Sequence, residues 1–75
     1  MSTPEYLISL IWDADAAVWI ATSDSIPGLV MESGSMDALI ERVRFTVPEL
    51  MELNGMTKTD CSLRFHSERL EQMCL

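Results

Sequence analysis

VWIATSDSIPGL, residues 18–29, decides the fold, because a strand and a tight turn lie back to back in it. Val18, Trp19, Ile20 and Thr22 are β-branched or aromatic and fit a pleated, half-buried surface. Alternation places Val18, Ile20 and Thr22 on one face and Trp19, Ala21 and Ser23 on the other, predicting a strand over residues 18–23. The run breaks at Asp24-Ser25-Ile26-Pro27-Gly28. Proline holds φ at about −65° and glycine accepts positive φ, so Pro27 and Gly28 suit the centre of a type II turn.

Upstream, residues 6–12 (YLISLIW) read as another strand. Tyr6, Ile8, Leu10 and Trp12 share one face, and Leu7, Ser9 and Ile11 the other. Large apolar side chains on both faces predict a central strand. Residues 13–17 (DADAA) form a short Asp-rich break suited to a hairpin loop. Downstream, residues 29–33 (LVMES) read as a third strand, which completes an antiparallel meander.

A helix follows. Ser35 is its predicted N-cap, and Asp37 lies in the first turn, where the macrodipole favours negative charge. Met36, Leu39, Ile40, Val43, Val47 and Leu50 recur at three and four and form one stripe. Glu41, Arg42, Arg44, Glu49 and Glu52 lie mainly opposite. Asn54 and Gly55 supply the stop. Pro48 conflicts with this pattern, because it removes a backbone bond and clashes with the carbonyl of Arg44. The sequence predicts either one helix kinked there or two helices, the second beginning at Pro48. After a polar connection over residues 56–60, residues 61–66 (CSLRFH) read as a fourth strand with Leu63 and Phe65 inward. Residues 67–75 extend that strand, add a helical turn or fray.

The expected fold class is therefore α+β, in the order β-β-β-α-β. A right-handed crossover places the fourth strand beside the first and parallel to it, giving the sheet order 3-2-1-4. One helix shields one face. The other stays open, and open apolar faces are interfaces.

Composition narrows the function. The chain has 75 residues, one domain at most, with 12 acidic and 5 basic residues and a net charge of −7. That balance disfavours phosphate neutralisation and anionic membrane surfaces, and it steers basic proteins inward. At 48% hydrophobic content, so short a chain does not hide all its apolar surface, so a homo-oligomer or a permanent partner is expected. Neither a secretory leader nor a membrane span is evident, and Cys61 and Cys74 read as free thiols, so a cytoplasmic setting is expected.

The stretch from Trp19 to Leu29 resembles a signature of the HicB-like antitoxin superfamily: an aromatic strand leading into an acidic, apolar Pro-Gly turn. The flanking strand at residues 6–12, the Asp-rich hairpin, and the helix ending Glu49-Leu50-Met51-Glu52-Leu53-Asn54-Gly55 fit as well. The resemblance covers roughly residues 5–66 and is nearest to a short uncharacterised branch. It implies a degenerate ribonuclease-H-like domain with the strand order above, and neutralisation of a small basic, mRNA-cleaving (HicA-like) toxin. Fuller members add a C-terminal DNA-binding domain. The chain leaves no room for one after Phe65, so direct nucleic-acid binding is not expected.

No catalytic set emerges. Asp13, Asp15, Asp24 and Glu32 are the carboxylates to weigh for a two-metal nuclease, but such sites need convergence within a few ångströms. Asp13 and Asp15 fall in the hairpin and Asp24 in the turn, at opposite ends of the second strand. Cys61 and His66 fall on opposite faces of their strand, and one histidine with two distant cysteines does not make a tetrahedral zinc site. The three glycines have turn or cap explanations, so no phosphate loop, metal site or cofactor is predicted. The six methionines read mainly as core. Candidate partner contacts are Trp12, Trp19, Asp13, Asp15 and Asp24; the tryptophans either lie on the open face or pack under the helix. Pro27, Gly28, Ser35, Pro48 and Gly55 are read as structural turn and cap residues. The expected function is non-catalytic toxin neutralisation by occlusion; the alternative is a structural homo-oligomer with no toxin.

Overall fold

The computed structural model describes residues 3–56 and 60–74. Its elements are β1 (Glu5–Asp13), β2 (Val18–Thr22), β3 (Val30–Ser33), α1 (Met36–Leu53) and β4 (Ser62–Glu68). They form one four-stranded sheet in the order β3-β2-β1-β4, as the sequence predicts. β1 and β2 pair antiparallel, as do β2 and β3, whereas β4 lies parallel to β1.

The strand limits differ slightly from the sequence reading. β4 starts at Ser62 and runs to Glu68, because its ladder with β1 continues from Glu5↔Ser62 to Ile11↔Glu68. Backbone pairing needs no apolar side chain, so Ser67 and Glu68 join it without a sequence signal. The tail therefore takes the strand-extending alternative for two residues, and residues 69–74 carry no regular structure. β3 begins at Val30 rather than Leu29, because the Leu29 N–H still closes the turn by donating to the Ile26 carbonyl at 3.3 Å. Gly28 has φ +88°, as a type II turn requires. β2 stops at Thr22; the Ser23 hydroxyl donates to the Leu7 carbonyl at 2.7 Å. The connection at residues 56–60 lies partly outside the described residues. Within it, Met56 packs against the core.

α1 is continuous through Pro48, which settles the choice in favour of one helix. Its buried face, Leu39, Val43, Val47 and Met51, spans both sides of the proline and holds the two halves to one core. Ser35 caps the start, its hydroxyl oxygen accepting from the Ala38 N–H at 3.2 Å. At the other end, Met56 N–H donates to Met51 O at 2.8 Å and Gly55 N–H to Glu52 O at 3.2 Å. This is a Schellman motif, and Gly55 at φ +67° supplies its left-handed residue.

The core joins α1 to one sheet face. Ile8 and Leu10 of β1 and Ala21 of β2 are buried there, and Ile26 and Leu29 from the Pro-Gly turn plug the same layer. Leu10 and Ala21 are cross-strand partners. The small Ala21 gives the helix room to approach. The Asn54 amide donates to the Pro27 carbonyl at 2.9 Å and to the Leu50 carbonyl at 2.8 Å, tying the turn to the helix end.

Candidate functional site: the open sheet face

Strand alternation and the ladder registers together set the composition of the uncovered face. β1 contributes Leu7, Ser9, Ile11 and Asp13; β2 contributes Val18, Ile20 and Thr22; β3 contributes Val30 and Glu32; β4 contributes Ser62, Arg64, His66 and Glu68. Leu7 is 48% exposed, Ile11 49% and Val30 72%, high values for large apolar side chains on a sheet. Cross-strand rows give the face its chemistry. Ile11 pairs with Ile20, Ile20 with Glu32, and Ile11 with Glu68. One row therefore reads Glu32, Ile20, Ile11, Glu68: two isoleucines between two carboxylates. The next reads Val30, Thr22, Ser9, His66. At the β3 end, Ile20, Val30, Met31, Glu32 and Arg42 line a groove of about 390 Å³. The Arg42 guanidinium donates to the Glu32 carbonyl there at 3.0 Å.

At the other edge Arg64 donates twice to one Glu5 carboxylate oxygen, at 2.7 and 3.0 Å. That hydrogen bond holds the Glu5 carboxyl below the ordinary carboxylate range; desolvation opposes the shift and the Arg64 charge adds to it. The same contacts raise the Arg64 guanidinium. Both groups are exposed, so the pair contributes little to stability.

The tryptophans lie elsewhere than on this face. Trp12 and Trp19 are register partners on the helix side of the sheet, at the end where α1 begins. They are half-buried, with ring centroids 5.3 Å apart. Arg69 from the tail lies 4.0 Å over the Trp12 ring and 5.8 Å from that of Trp19. Arg69 is in turn paired with Glu71 at 2.6 Å. Of the two alternatives for the tryptophans, the open face is thus corrected: the register that buries Leu10 carries Trp12 to the same side. They are covered in part by the tail rather than only by the helix.

Asp13, Asp15 and Asp24 do not converge. The Asp13 carboxylate accepts from the N–H groups of Asp15 and Ala16, closing the hairpin loop, and Asp24 is exposed in the turn beyond the far end of β2. Among the described residues, no group of three or more His, Cys, Asp and Glu side chains is placed to hold a metal ion. Nor is any helix among them long and apolar enough to cross a membrane. A second groove, of about 370 Å³, runs between α1 and β4, lined by Arg44, Val47, Pro48, Cys61, Leu63 and Phe65.

Leu7, Ile11, Ile20 and Val30 are the apolar residues of the open face that sequence reasoning did not single out. The alternation places Leu7 with Ile11, and Ile20 apart from Trp19. The missing signal was which face α1 selects. Buried Ala21 carries that information, since the one small residue of β2 marks the side on which a helix fits.

Fold and face together define a class: a small α+β domain with a four-stranded mixed sheet, one helix on one face and an apolar, acid-flanked surface on the other. The chain belongs to the family described as "Domain of unknown function (DUF1902)", whose model matches residues 5–75. Among solved structures it is similar to the hypothetical protein TTHA1013 of the extremely thermophilic bacterium Thermus thermophilus. The two are 30% identical, with a TM-score of 0.72 over 95% of this chain and 99% of that one. No curated protein matches.

Proposed function

We propose that the chain is a non-catalytic, antitoxin-like protein-binding domain of HicB-like descent, a degenerate ribonuclease-H-like unit acting in the cytoplasm. Its partner is a small basic toxin that cleaves mRNA, and it neutralises the toxin by occluding the surface that grips RNA. The observation that carries this reading is the Glu32, Ile20, Ile11, Glu68 row on the open face. Apolar contact at the centre supplies affinity, and carboxylates at the ends meet lysines and arginines. A net charge of −7 speeds encounter with a basic partner. The resemblance carried by Trp19 to Leu29 supports the same partner class.

The test is tagged purification from the native host with wild type and an Ile11→Lys/Ile20→Lys variant. Wild type retains a small basic ribonuclease that the variant loses, and adding back wild type blocks its RNA cleavage. Recovery of no basic protein, or equal recovery by both chains, contradicts the proposal.

A further inference from the structure

β4 is one edge of the sheet, seven residues long, whereas β3 at the other edge has four. Its sequence, Ser-Leu-Arg-Phe-His-Ser-Glu, contains no proline or lysine, two of the usual devices that discourage edge pairing. The Ser62 N–H donates to the Pro4 carbonyl at 2.8 Å. In a parallel ladder alternate residues turn their backbone groups to the neighbour, so Ser62, Arg64, His66 and Glu68 bond toward β1. Leu63, Phe65 and Ser67 therefore present N–H and C=O outward.

We propose that this edge pairs antiparallel with β4 of a second copy about a two-fold axis at His66, joining two sheets into one of eight strands. Outward groups must face outward groups, so residue numbers facing each other sum to an even value, and the axis passes through a residue. With the axis at Arg64, two arginines meet. At Phe65, Arg64 faces a histidine and Glu68 a serine. At His66, the two histidines meet on the axis, and Arg64 of each copy faces Glu68 of the other, twice, so of the three this register alone pairs opposite charges. These are non-hydrogen-bonded positions, where side chains come closest. Each partner is available: Glu68 makes no ion pair among the described residues, and Arg64 has donors beyond the two that serve Glu5. The same register sets Phe65 diagonal to its copy, within aromatic reach, and opens the two α1–β4 grooves onto each other across the axis. A C2 interface must be self-complementary, and this strand's charge pattern is. The pairing leaves Leu7, Ile11, Ile20 and Val30 uncovered but shares Glu68 with the toxin-facing row, so Ser67→Pro, which alters no side chain of that row, is the variant that separates dimerisation from toxin binding.

Sedimentation velocity of the full chain across a concentration series, at low salt, tests this. Wild type dimerises. Arg64→Glu and Glu68→Arg each replace two attractive pairs by two repulsive ones and weaken self-association by about tenfold to a hundredfold. An equimolar mixture of these two variants dimerises again, because opposite charges face each other at both positions of the mixed pair. Ser67→Pro removes an outward N–H without touching the ladder to β1, and gives a folded monomer by circular dichroism. A monomeric wild type, single variants that dimerise like wild type, a mixture that stays monomeric, or a dimeric Ser67→Pro chain would each overturn the proposal.

Discussion

Replacing Asn54 with alanine removes the side-chain hydrogen bonds that tie the Pro-Gly turn to the helix end. The Asn54 amide nitrogen donates to Pro27 O at 2.9 Å and Leu50 O at 2.8 Å. A neutral hydrogen bond contributes about 0.5–1.5 kcal/mol net, and Asn54 is exposed, so the two together contribute about 1–2 kcal/mol. In a domain of 60–100 residues each kcal/mol moves Tm by about 4–8 °C, so Asn54→Ala lowers it by roughly 5–15 °C. Asn54→Asp sharpens the test. A carboxylate cannot donate, and it adds negative charge at the helix C-terminus, about 0.3–1 kcal/mol worse than alanine at neutral pH. Acidification protonates it, restores one donor and narrows the gap. Urea unfolding followed by circular dichroism at pH 7 and pH 3.5 reads both effects. An alanine variant as stable as wild type, or an aspartate variant more stable than alanine at pH 7, refutes the clamp.

Backbone conformation predicts two changes of opposite sign. Ala17 sits at φ +55°, a region that costs a non-glycine residue about 1–2 kcal/mol; Ala17→Gly therefore stabilises by about 0.5–1 kcal/mol after the added unfolded-state freedom is subtracted, read by thermal or urea unfolding. Gly28→Ala reverses the argument at φ +88°, where the new methyl also meets Leu50 Cδ2 at 3.4 Å; it destabilises by about 1 kcal/mol in the same assay. The Glu5 carboxyl, lowered by Arg64, titrates below an ordinary glutamate by NMR, and Arg64→Gln moves it back up. Because the folded value is the lower one, the pair's contribution is present above the unfolded value and lost as pH falls through the folded one.

Local chemistry made most of the fold legible. Pro27 and Gly28 specify their turn by backbone geometry alone, Ser35 its cap by a side-chain oxygen, and Asn54-Gly55 the helix stop. The strand order follows from short connections and a right-handed crossover. Quantities set by tertiary choice were not legible. β1 carries Ile8 and Leu10 on one face and Leu7 and Ile11 on the other, and nothing within the strand says which face receives α1. The contact of Arg69 with Trp12 was hidden for a related reason: residues 67–75 have no apolar period, and it is the β1 ladder, ending at Glu68, that brings Arg69 to the tryptophans. Met51, absent from the expected helix stripe, is buried; it sits four residues past Val47 and so completes the series 39, 43, 47, 51.

Amide chemical-shift mapping of the labelled chain, titrated with the basic toxin that the native-host purification recovers, examines the binding face most directly. Resonances of residues 7, 9 and 11, 20 and 22, and 30 and 32 should shift or broaden together, while those around exposed Phe45 on the outer side of α1 stay fixed. Perturbations centred on the outer helix, with β1 and β2 unmoved, would contradict the account.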